Sequence, residues 1–190
     1  MAKGGYHHGD LRRALLSAAV ATISETGPAA VSLRELARRA GVSHAAPQHH
    51  FGDKAGLLTA VAQEGFELLA GALAAAGGDL LEVGVAYVSF ATGHPAHFQV
   101  MFQPALYHAD DPALAAARSR ARSALDAGLR ALPQPSGDPA TAAVAAWSIV
   151  HGFATLWLSG ALPGDLGADP VAAARHVIRL LFDRGPAIAG

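Results

Sequence analysis

The chain has 190 residues, of which 52% are hydrophobic and 15% are charged, and it contains no cysteine. This composition excludes a chain that is disordered throughout, and the lack of cysteine excludes disulfides, thiolate metal sites and cysteine nucleophiles. The N-terminus lacks the apolar core of a signal peptide, so we expect a cytoplasmic protein.

The formal net charge of -1 hides an uneven distribution along the chain. Residues 1–60 carry seven Lys and Arg against four Asp and Glu, together with five of the ten histidines. The remaining 130 residues carry seven basic against eleven acidic side chains. A small basic end joined to a larger acidic end is typical of a protein in which one part meets a polyanion.

The first predicted helix begins after Asp10, which can cap it, and ends at Gly27-Pro28. Its apolar residues recur at three- and four-residue spacing, at Leu11, Leu15, Ala18, Ala19 and Ile23. A second helix follows Ser32, because Ser32 and Glu35 have the spacing of a capping box. Gly41 then ends this helix, and Ser43 can cap a third, short helix that runs to about His50.

The rest of the chain also reads as helical. Asp53 is expected to cap a long fourth helix that ends near Gly77-Gly78. Glycine and proline boundaries place further helices at about 79–92, 95–107, 112–131, 139–161 and 169–184. No segment has the two-residue alternation of a strand, so we predict an all-α fold of about nine helices.

The pair of short helices around Gly41 has the features of a helix-turn-helix. In that arrangement the first helix supports the second, whose exposed N-terminal side chains enter the major groove of DNA. Small Ala37 suits the contact between the helices, Gly41 suits the sharp turn, and Val42 can bury it. The same spacing also fits an ordinary helical hairpin, so the spacing alone does not distinguish a DNA-binding helix-turn-helix from such a hairpin.

A series of short motifs in this region distinguishes between them. In chain order they are Glu25-Thr26-Gly27, Ser32 to Ala40, Gly41-Val42-Ser43, His50-Phe51 and Lys54. With this order and spacing, Leu11 to Phe66, about a third of the chain, resembles the N-terminal domain of the TetR family of transcriptional regulators. The later Trp147 to Gly152 resembles the W-x-x-x-H-G signature of one subgroup's C-terminal domain.

The resemblance implies a helix-turn-helix DNA-binding domain over residues 1–52 and a helical ligand-binding and dimerisation domain over residues 53–190. It implies a repressor. The lack of ligand and catalytic motifs around the histidines and the composition of the apolar segment add the expectations that the chain is not an enzyme and has no cofactor, no metal site and no membrane partner. The partners it implies are double-stranded DNA with an inverted-repeat operator, a second copy of the chain, and an unidentified small-molecule effector. The helices near 139–161 and 169–184 resemble the pair that joins two subunits in this family.

The residues expected to contact DNA are Ser32, Arg34, Ser43, His44, Ala45, Gln48, His49 and Lys54. Gln48 stands where the family usually has a phosphate-contacting tyrosine, and Pro47 stands where it usually has leucine. Gln48 can still bind a phosphate or pair with adenine, and Pro47 falls in the first turn of its helix, where it costs little. Ala45 can contact a thymine methyl group, while Ser32, Arg34, Ser43 and Lys54 lie near helix starts, where phosphates bind.

The large side chains of the middle helices are the candidates for an effector pocket. They are Tyr87, Phe98, Met101, Phe102, Trp147 and His151. An apolar cavity with a few polar groups is the usual form of a small-molecule site, but the same residues can simply fill the core. The pocket is therefore implied mainly by the family.

Two other classes of function stay open. The histidines allow a helical enzyme, although no H-E-x-x-H motif and no G-x-S-x-G elbow accompanies them. The run from Val144 to Leu162 has one ionisable group, His151, and permits a helical interaction module or a membrane segment. Its many small residues and its lack of flanking Lys or Arg clusters favour a buried helix.

Overall fold

The computed structural model describes residues 5–130 and 138–182, and this part of the chain is helical and contains no strand. The helices are α1 (Gly5–Thr26), α2 (Leu33–Arg39), α3 (Ala45–Phe51), α4 (Lys54–Ala75), α5 (Leu80–Gly93), α6 (Pro95–Met101), α7 (Pro112–Arg130), α8 (Pro139–Leu158) and α9 (Pro170–Phe182). Short 3-10 helices lie at Pro28–Ala30, Pro104–Leu106 and Gly164–Leu166. The all-α prediction is confirmed.

Three predicted boundaries were wrong. Helix α1 begins at Gly5 instead of after Asp10, and Asp10 pairs inside the helix with Arg13 at 2.7 Å. Helix α6 ends at Met101, because Pro104 has no amide hydrogen with which to continue it. Helix α8 ends at Leu158, where Gly160 takes a φ of +68°. The amide of Ala161 then donates to the Leu156 carbonyl at 3.0 Å, which closes a Schellman motif.

The described residues form two compact units. The first contains the chain up to Glu67 together with His94–Arg118, and the second contains Leu68–Gly93 together with the chain from Ser119 onward. Compactness therefore groups α6 and the start of α7 with the helix-turn-helix. The predicted domain boundary between residues 52 and 53 separates the part expected to bind DNA from the part expected to bind the effector. This boundary stays a prediction.

The core of the first unit is built from the apolar stripes of α1, α2 and α4. Its fully buried side chains include Leu15, Ile23, Leu36, Leu57, Leu58 and Val61. The predicted stripe of α1 lies on this core, although Leu11 and Ala18 are only half-buried. This packing holds the short helices α2 and α3, which are too short to be stable alone.

The second unit packs α5 against α8 and α9. Gly84 lies at the crossing, where an added Cβ would lie 3.1 Å from Ile178 Cδ1 and 3.3 Å from Val150 Cγ1. The absence of a side chain at Gly84 lets the helices approach closely. At one edge, the guanidinium of Arg175 makes a two-pronged ion pair with Glu82, which lowers the pKa of that carboxyl.

Helices α4 and α8 are each long and apolar enough to cross a membrane by length and composition alone. This is weak evidence, because core helices of other proteins have the same properties. The two helices differ in burial: 56% of the apolar window of α4 is buried in the monomer, against 22% for α8.

Candidate functional site

The turn between α2 and α3 has the backbone of a helix-turn-helix. Gly41 has a φ of +66°, a conformation that favours glycine. The amide of Val42 donates to the Ala37 carbonyl at 3.0 Å, and the amide of Gly41 donates to the Arg38 carbonyl at 3.3 Å. These two bonds form a Schellman motif that ends α2 and turns the chain sharply into α3. Val42 is half-buried, as predicted.

The predicted capping box at the start of α2 is not formed. Ser32 occupies the N-cap position in an extended conformation, but its side chain makes no capping hydrogen bond. The Glu35 carboxylate instead accepts hydrogen bonds from Arg38, at 2.6 and 2.8 Å, and from Arg39, at 3.2 Å. These cations lower the pKa of Glu35 to about 2. Glu35 thus pairs with the two arginines and not with the backbone amide of Ser32, because hydrogen bonds between charged groups are stronger. The Ser32 side chain is exposed.

The start of α3 also differs from the prediction. Its N-cap is His44, which has helical backbone angles and makes no side-chain capping bond. The amide of Ala46 donates to the backbone carbonyl of Ser43 at 3.0 Å. This backbone turn, and not the Ser43 hydroxyl as predicted, stabilises the start of α3. Ser43 and His44 are both exposed.

Helix α3 has one face in the core and one face outward. Pro47 and Phe51 are buried, and Ala45, Gln48 and His49 are exposed beside His44. Pro47 is the third residue of α3, within the first turn, where a missing amide costs little. On the inner side, the guanidinium of Arg12 lies 5.2 Å from the centre of the Phe51 ring.

The connection from α3 to α4 is tightly specified. Gly52 has a φ of +76°, and its amide donates to the Gln48 carbonyl at 2.8 Å. The predicted cap is confirmed, because Asp53 Oδ1 accepts from the Gly56 amide at 2.7 Å. This bond is the main cause of the lowered pKa of Asp53, to which His108 at 3.3 Å adds.

Gly56 is a residue that the sequence analysis missed. A Cβ at this position would lie only 2.0 Å from the carbonyl oxygen of Phe51. The first turn of α4 therefore approaches the last residue of α3 too closely for any side chain. Nothing in the local sequence signals this, because the contact depends on the angle between the two helices.

Lys54 differs from the other predicted DNA contacts. Its ammonium donates to the Ala29 carbonyl at 2.6 Å and joins the start of α4 to the 3-10 turn after α1. Lys54 is half-buried, whereas the other predicted contacts are exposed: Ser32, Arg34, Ser43, His44, Ala45, Gln48 and His49. All eight belong to the first unit. One of the three ammonium donors of Lys54 is thus used within the protein, and its contact with phosphate stays a prediction.

The six predicted pocket residues divide between the two units. Tyr87, Trp147 and His151 come together in the second unit, where the indole of Trp147 donates to the Tyr87 hydroxyl at 3.2 Å. The same hydroxyl lies 2.9 Å from His151 Nδ1, within hydrogen-bond distance. Burial raises the pKa of Tyr87 and lowers the pKa of His151, which favours the neutral form of each group.

The other three predicted pocket residues, Phe98, Met101 and Phe102, lie in the first unit. The Phe102 ring meets Phe98 and Phe66 edge to face, with ring centres 5.2 and 5.9 Å apart. Helix α4 approaches Met101 closely at Gly65, where an added Cβ would lie 2.6 Å from the Met101 sulfur.

Next to this contact, the sequence analysis missed a polar link between α4 and α6. His97 is buried, and its Nε2 lies 2.9 Å from Glu64 Oε2. The His97 Nδ1 is buried without a hydrogen-bond partner. No three His, Asp or Glu side chains in the described part of the chain are grouped closely enough to hold a metal ion.

Comparison with known protein families identifies both parts of the chain. Residues 15–61 match the model described as bacterial regulatory proteins of the tetR family. Residues 80–181, more than half of the chain, match the model of the tetracyclin repressor-like C-terminal domain.

Individual proteins are similar to the chain over different lengths. A solved structure from Rhodococcus sp. RHA1, described as a protein with unknown function, is 33% identical and has a TM-score of 0.77, covering 95% of this chain and 97% of its own. The HTH-type transcriptional regulator BetI of Rhizobium meliloti is 49% identical over 49 residues, which are 26% of this chain and 24% of BetI. The TetR-like regulator LfrR of Mycobacterium smegmatis, solved with proflavine, shares the fold at 21% identity with a TM-score of 0.66, covering 91% of this chain and 96% of its own.

Proposed function

The chain belongs to the TetR family of DNA-binding transcriptional regulators, and we propose that it is a homodimeric repressor that a small-molecule effector releases from an inverted-repeat operator. The observation that carries the proposal is the outward face of α3. His44, Ala45, Gln48 and His49 are exposed together on a helix whose other face is buried and whose backbone is fixed at both ends. A rigid, exposed and polar short helix after a tight turn is what reading a major groove requires.

Each exposed side chain of α3 suits a particular contact in the groove. The Gln48 amide can pair with the N6 and N7 atoms of an adenine, and the Ala45 methyl can meet the methyl of a thymine. Ser32, Ser43 and Arg34 suit phosphate contacts, which fix the position of the protein without reading sequence. The Arg34 guanidinium is exposed and has no acidic partner among residues 5–130 and 138–182, so it is available for a phosphate.

Self-association is supported by the outward face of α8 and α9. Val144, Leu156 and Leu180 are 52%, 46% and 67% exposed. Trp147 and Leu158 add to this apolar surface. Large apolar side chains exposed on a DNA-binding regulator are stabilised when a second copy covers them, and twofold symmetry makes such an interface self-complementary. The resulting dimer presents two α3 helices to successive major grooves of an inverted repeat.

Ligand control is supported by relatives and by the arrangement of the second unit. LfrR was solved with the small molecule proflavine. In this chain, Tyr87, Trp147 and His151 form a polar cluster in an apolar surrounding, a composition typical of small-molecule sites. An effector lowers DNA affinity when it binds more tightly to a form of the dimer whose two α3 helices cannot reach successive major grooves. The loss of DNA-binding free energy then equals the coupling free energy between the effector site and the DNA site. We place the protein in the cytoplasm, where its DNA is.

The test is DNA binding by the purified full-length chain. Footprinting on genomic fragments is expected to reveal inverted repeats, and the affinity is expected to fall steeply with salt because phosphates release counterions. Gln48→Ala should weaken binding to the identified site by about 1 to 3 kcal/mol, the range for a bidentate base contact. The matched control is Ser24→Ala, since Ser24 is exposed and its hydroxyl donates to the Val20 carbonyl within α1, away from α3.

Two outcomes would contradict this proposal. A footprint without twofold symmetry, or no footprint at low salt, would overturn operator recognition. Equal affinities of Gln48→Ala and Ser24→Ala at matched salt would remove Gln48 from the contact surface.

A further inference from the structure

Arg118, on α7 in the first unit, has surroundings that the DNA-binding function does not explain. Its guanidinium carbon lies 5.4 Å from the centre of the Phe66 ring, and its Nη2 donates to the Tyr107 hydroxyl at 3.2 Å. That hydroxyl is buried and donates its own proton to the Met101 carbonyl at 2.8 Å. Contacts from α4 and from the segment after α6 thus hold the guanidinium in one place.

Within residues 5–130 and 138–182, the charge of Arg118 has no carboxylate partner. The exposed residues Arg13, Arg38 and Arg122 each have a carboxylate partner, at 2.7, 2.6 and 3.3 Å. Arg118 is half-buried, yet in the described part of the chain no carboxylate lies within ion-pair distance of it. A guanidinium has five N–H donors, and only one is accounted for by Tyr107. A partly buried cation without a counter-charge is unfavourable, and the guanidinium fork matches a carboxylate.

The side chains around this cation are aromatic. Phe66 lies beneath the guanidinium, and Phe102 contacts Phe66 edge to face, with Phe98 behind it. Phe102 is half-buried, so part of its ring is accessible as Arg118 is. Aromatic surfaces next to a fixed cation favour a ligand that has a flat apolar body and one negative charge.

We propose that Arg118, flanked by Phe66 and Phe102, binds the carboxylate of a small aromatic acid. This inference rests on the proposed function, in which a small molecule controls DNA binding, and it names the chemical class of that effector. The guanidinium pairs with the carboxylate, and the ring of the acid packs against the half-buried Phe102, while the buried Phe66 supports the guanidinium from below.

The position of this site connects it with DNA binding. Phe66 is on α4, twelve residues after Lys54, and Lys54 begins α4 directly after the recognition helix. At 1.5 Å per residue, the site is about 18 Å along the same helix. An acid bound to Arg118, whose guanidinium lies over Phe66, therefore acts on the helix that sets the position of α3.

The test measures binding by calorimetry to the purified full-length protein without DNA. The probes are benzoate, phenylacetate and 3-phenylpropionate, each compared with its uncharged amide. At least one acid is expected to bind, and its amide should bind at least about ten-fold more weakly, because the ion pair is lost. Arg118→Gln should weaken binding of the acid by a similar factor, while Arg122→Gln on the same helix should leave it unchanged.

Two further measurements separate binding from folding. The melting temperature of each variant without ligand shows whether it folds, and Arg118→Lys keeps the charge but cannot form two parallel bonds. The lysine variant should therefore retain weaker binding to the acid. If no acid binds, if amides bind equally well, or if both glutamine variants behave alike, the site is overturned.

The same probes distinguish this inference from the proposed function. An acid that binds through Arg118 and leaves the footprint intact supports the site and contradicts effector release. A compound that releases DNA equally from wild-type and Arg118→Gln protein supports effector release and overturns Arg118 as the contact.

Discussion

The recognition region, α2 to the first turn of α4, and the α5, α8 and α9 region are specified by different kinds of interaction. In the recognition region, Gly41, Gly52 and Gly56 determine the backbone, and the outward side chains are polar or small. In the second region, interlocking apolar side chains set the geometry, and much of the outward face of α8 is apolar. The polarity of each outward face therefore suits the partner proposed for it. The polar face of α3 suits hydrated DNA, and the apolar face of α8 suits a second copy of the chain.

The largest expected effect tests how strictly the backbone specifies the recognition region. Gly56→Ala would bring its Cβ within 2.0 Å of the Phe51 carbonyl oxygen, and backbone cannot easily move away. We expect the free energy of unfolding to fall by at least about 3 kcal/mol, measured by urea denaturation.

Gly71→Ala is the matched control in the same helix. No atom lies within 4 Å of a Cβ at Gly71, so alanine should stabilise the protein by up to about 1 kcal/mol. Equal effects of the two substitutions would show that helix propensity, and not the contact of α4 with α3, decides stability here.

The next effect tests the partner of the apolar region. Leu156→Asp places a charge on the outward face of α8 and should weaken self-association by about 30-fold or more, the loss of a central interface residue. Analytical ultracentrifugation over a concentration series measures it. Ala115→Asp adds the same charge at an exposed position of α7 and should leave the dimer intact. A dimer that tolerates Leu156→Asp would remove this face of α8 from the interface.

A smaller effect tests the polar cluster inside the apolar region. Tyr87→Phe removes the hydroxyl that joins Trp147 to His151 and leaves two polar groups without this partner. We expect the free energy of unfolding to fall by about 0.5 to 1.5 kcal/mol, the net contribution of a typical intramolecular hydrogen bond. Unchanged stability in urea denaturation would show that water replaces the hydroxyl without cost.

The smallest effect is a pH dependence from His151. Its pKa is lowered by desolvation in the folded chain, so between the folded and unfolded pKa values the unfolded chain binds more protons. Stability should therefore decrease as the pH falls below about 6.5. His151→Asn retains an acceptor near the position of Nδ1 but does not titrate, and its stability curve should be flatter over this range. Parallel curves for the two proteins would contradict the assignment.

Much of the fold followed from local sequence patterns. Asp53 caps α4 as predicted, and Gly41 ends α2, because both depend on atoms only a few residues apart. The capping roles of Ser32 and Ser43 were wrong, because Glu35 finds two arginines and a backbone turn replaces the serine hydroxyl. Where two partners compete for the same group, residue type alone does not decide between them.

The sequence by itself determined that the chain is helical, where its turns lie, and which short helix presents Ala45, Gln48 and His49 outward. These features arise from contacts within one or two turns, which periodicity and glycine positions record. Only the tertiary structure decided that Gly56 must lack a side chain, that Lys54 bonds to Ala29, and that Arg118 lies over the Phe66 ring. The Lys54 and Arg118 contacts join residues distant in the chain. The Gly56 contact spans only five residues, but it depends on the angle between α3 and α4, which no local pattern specifies.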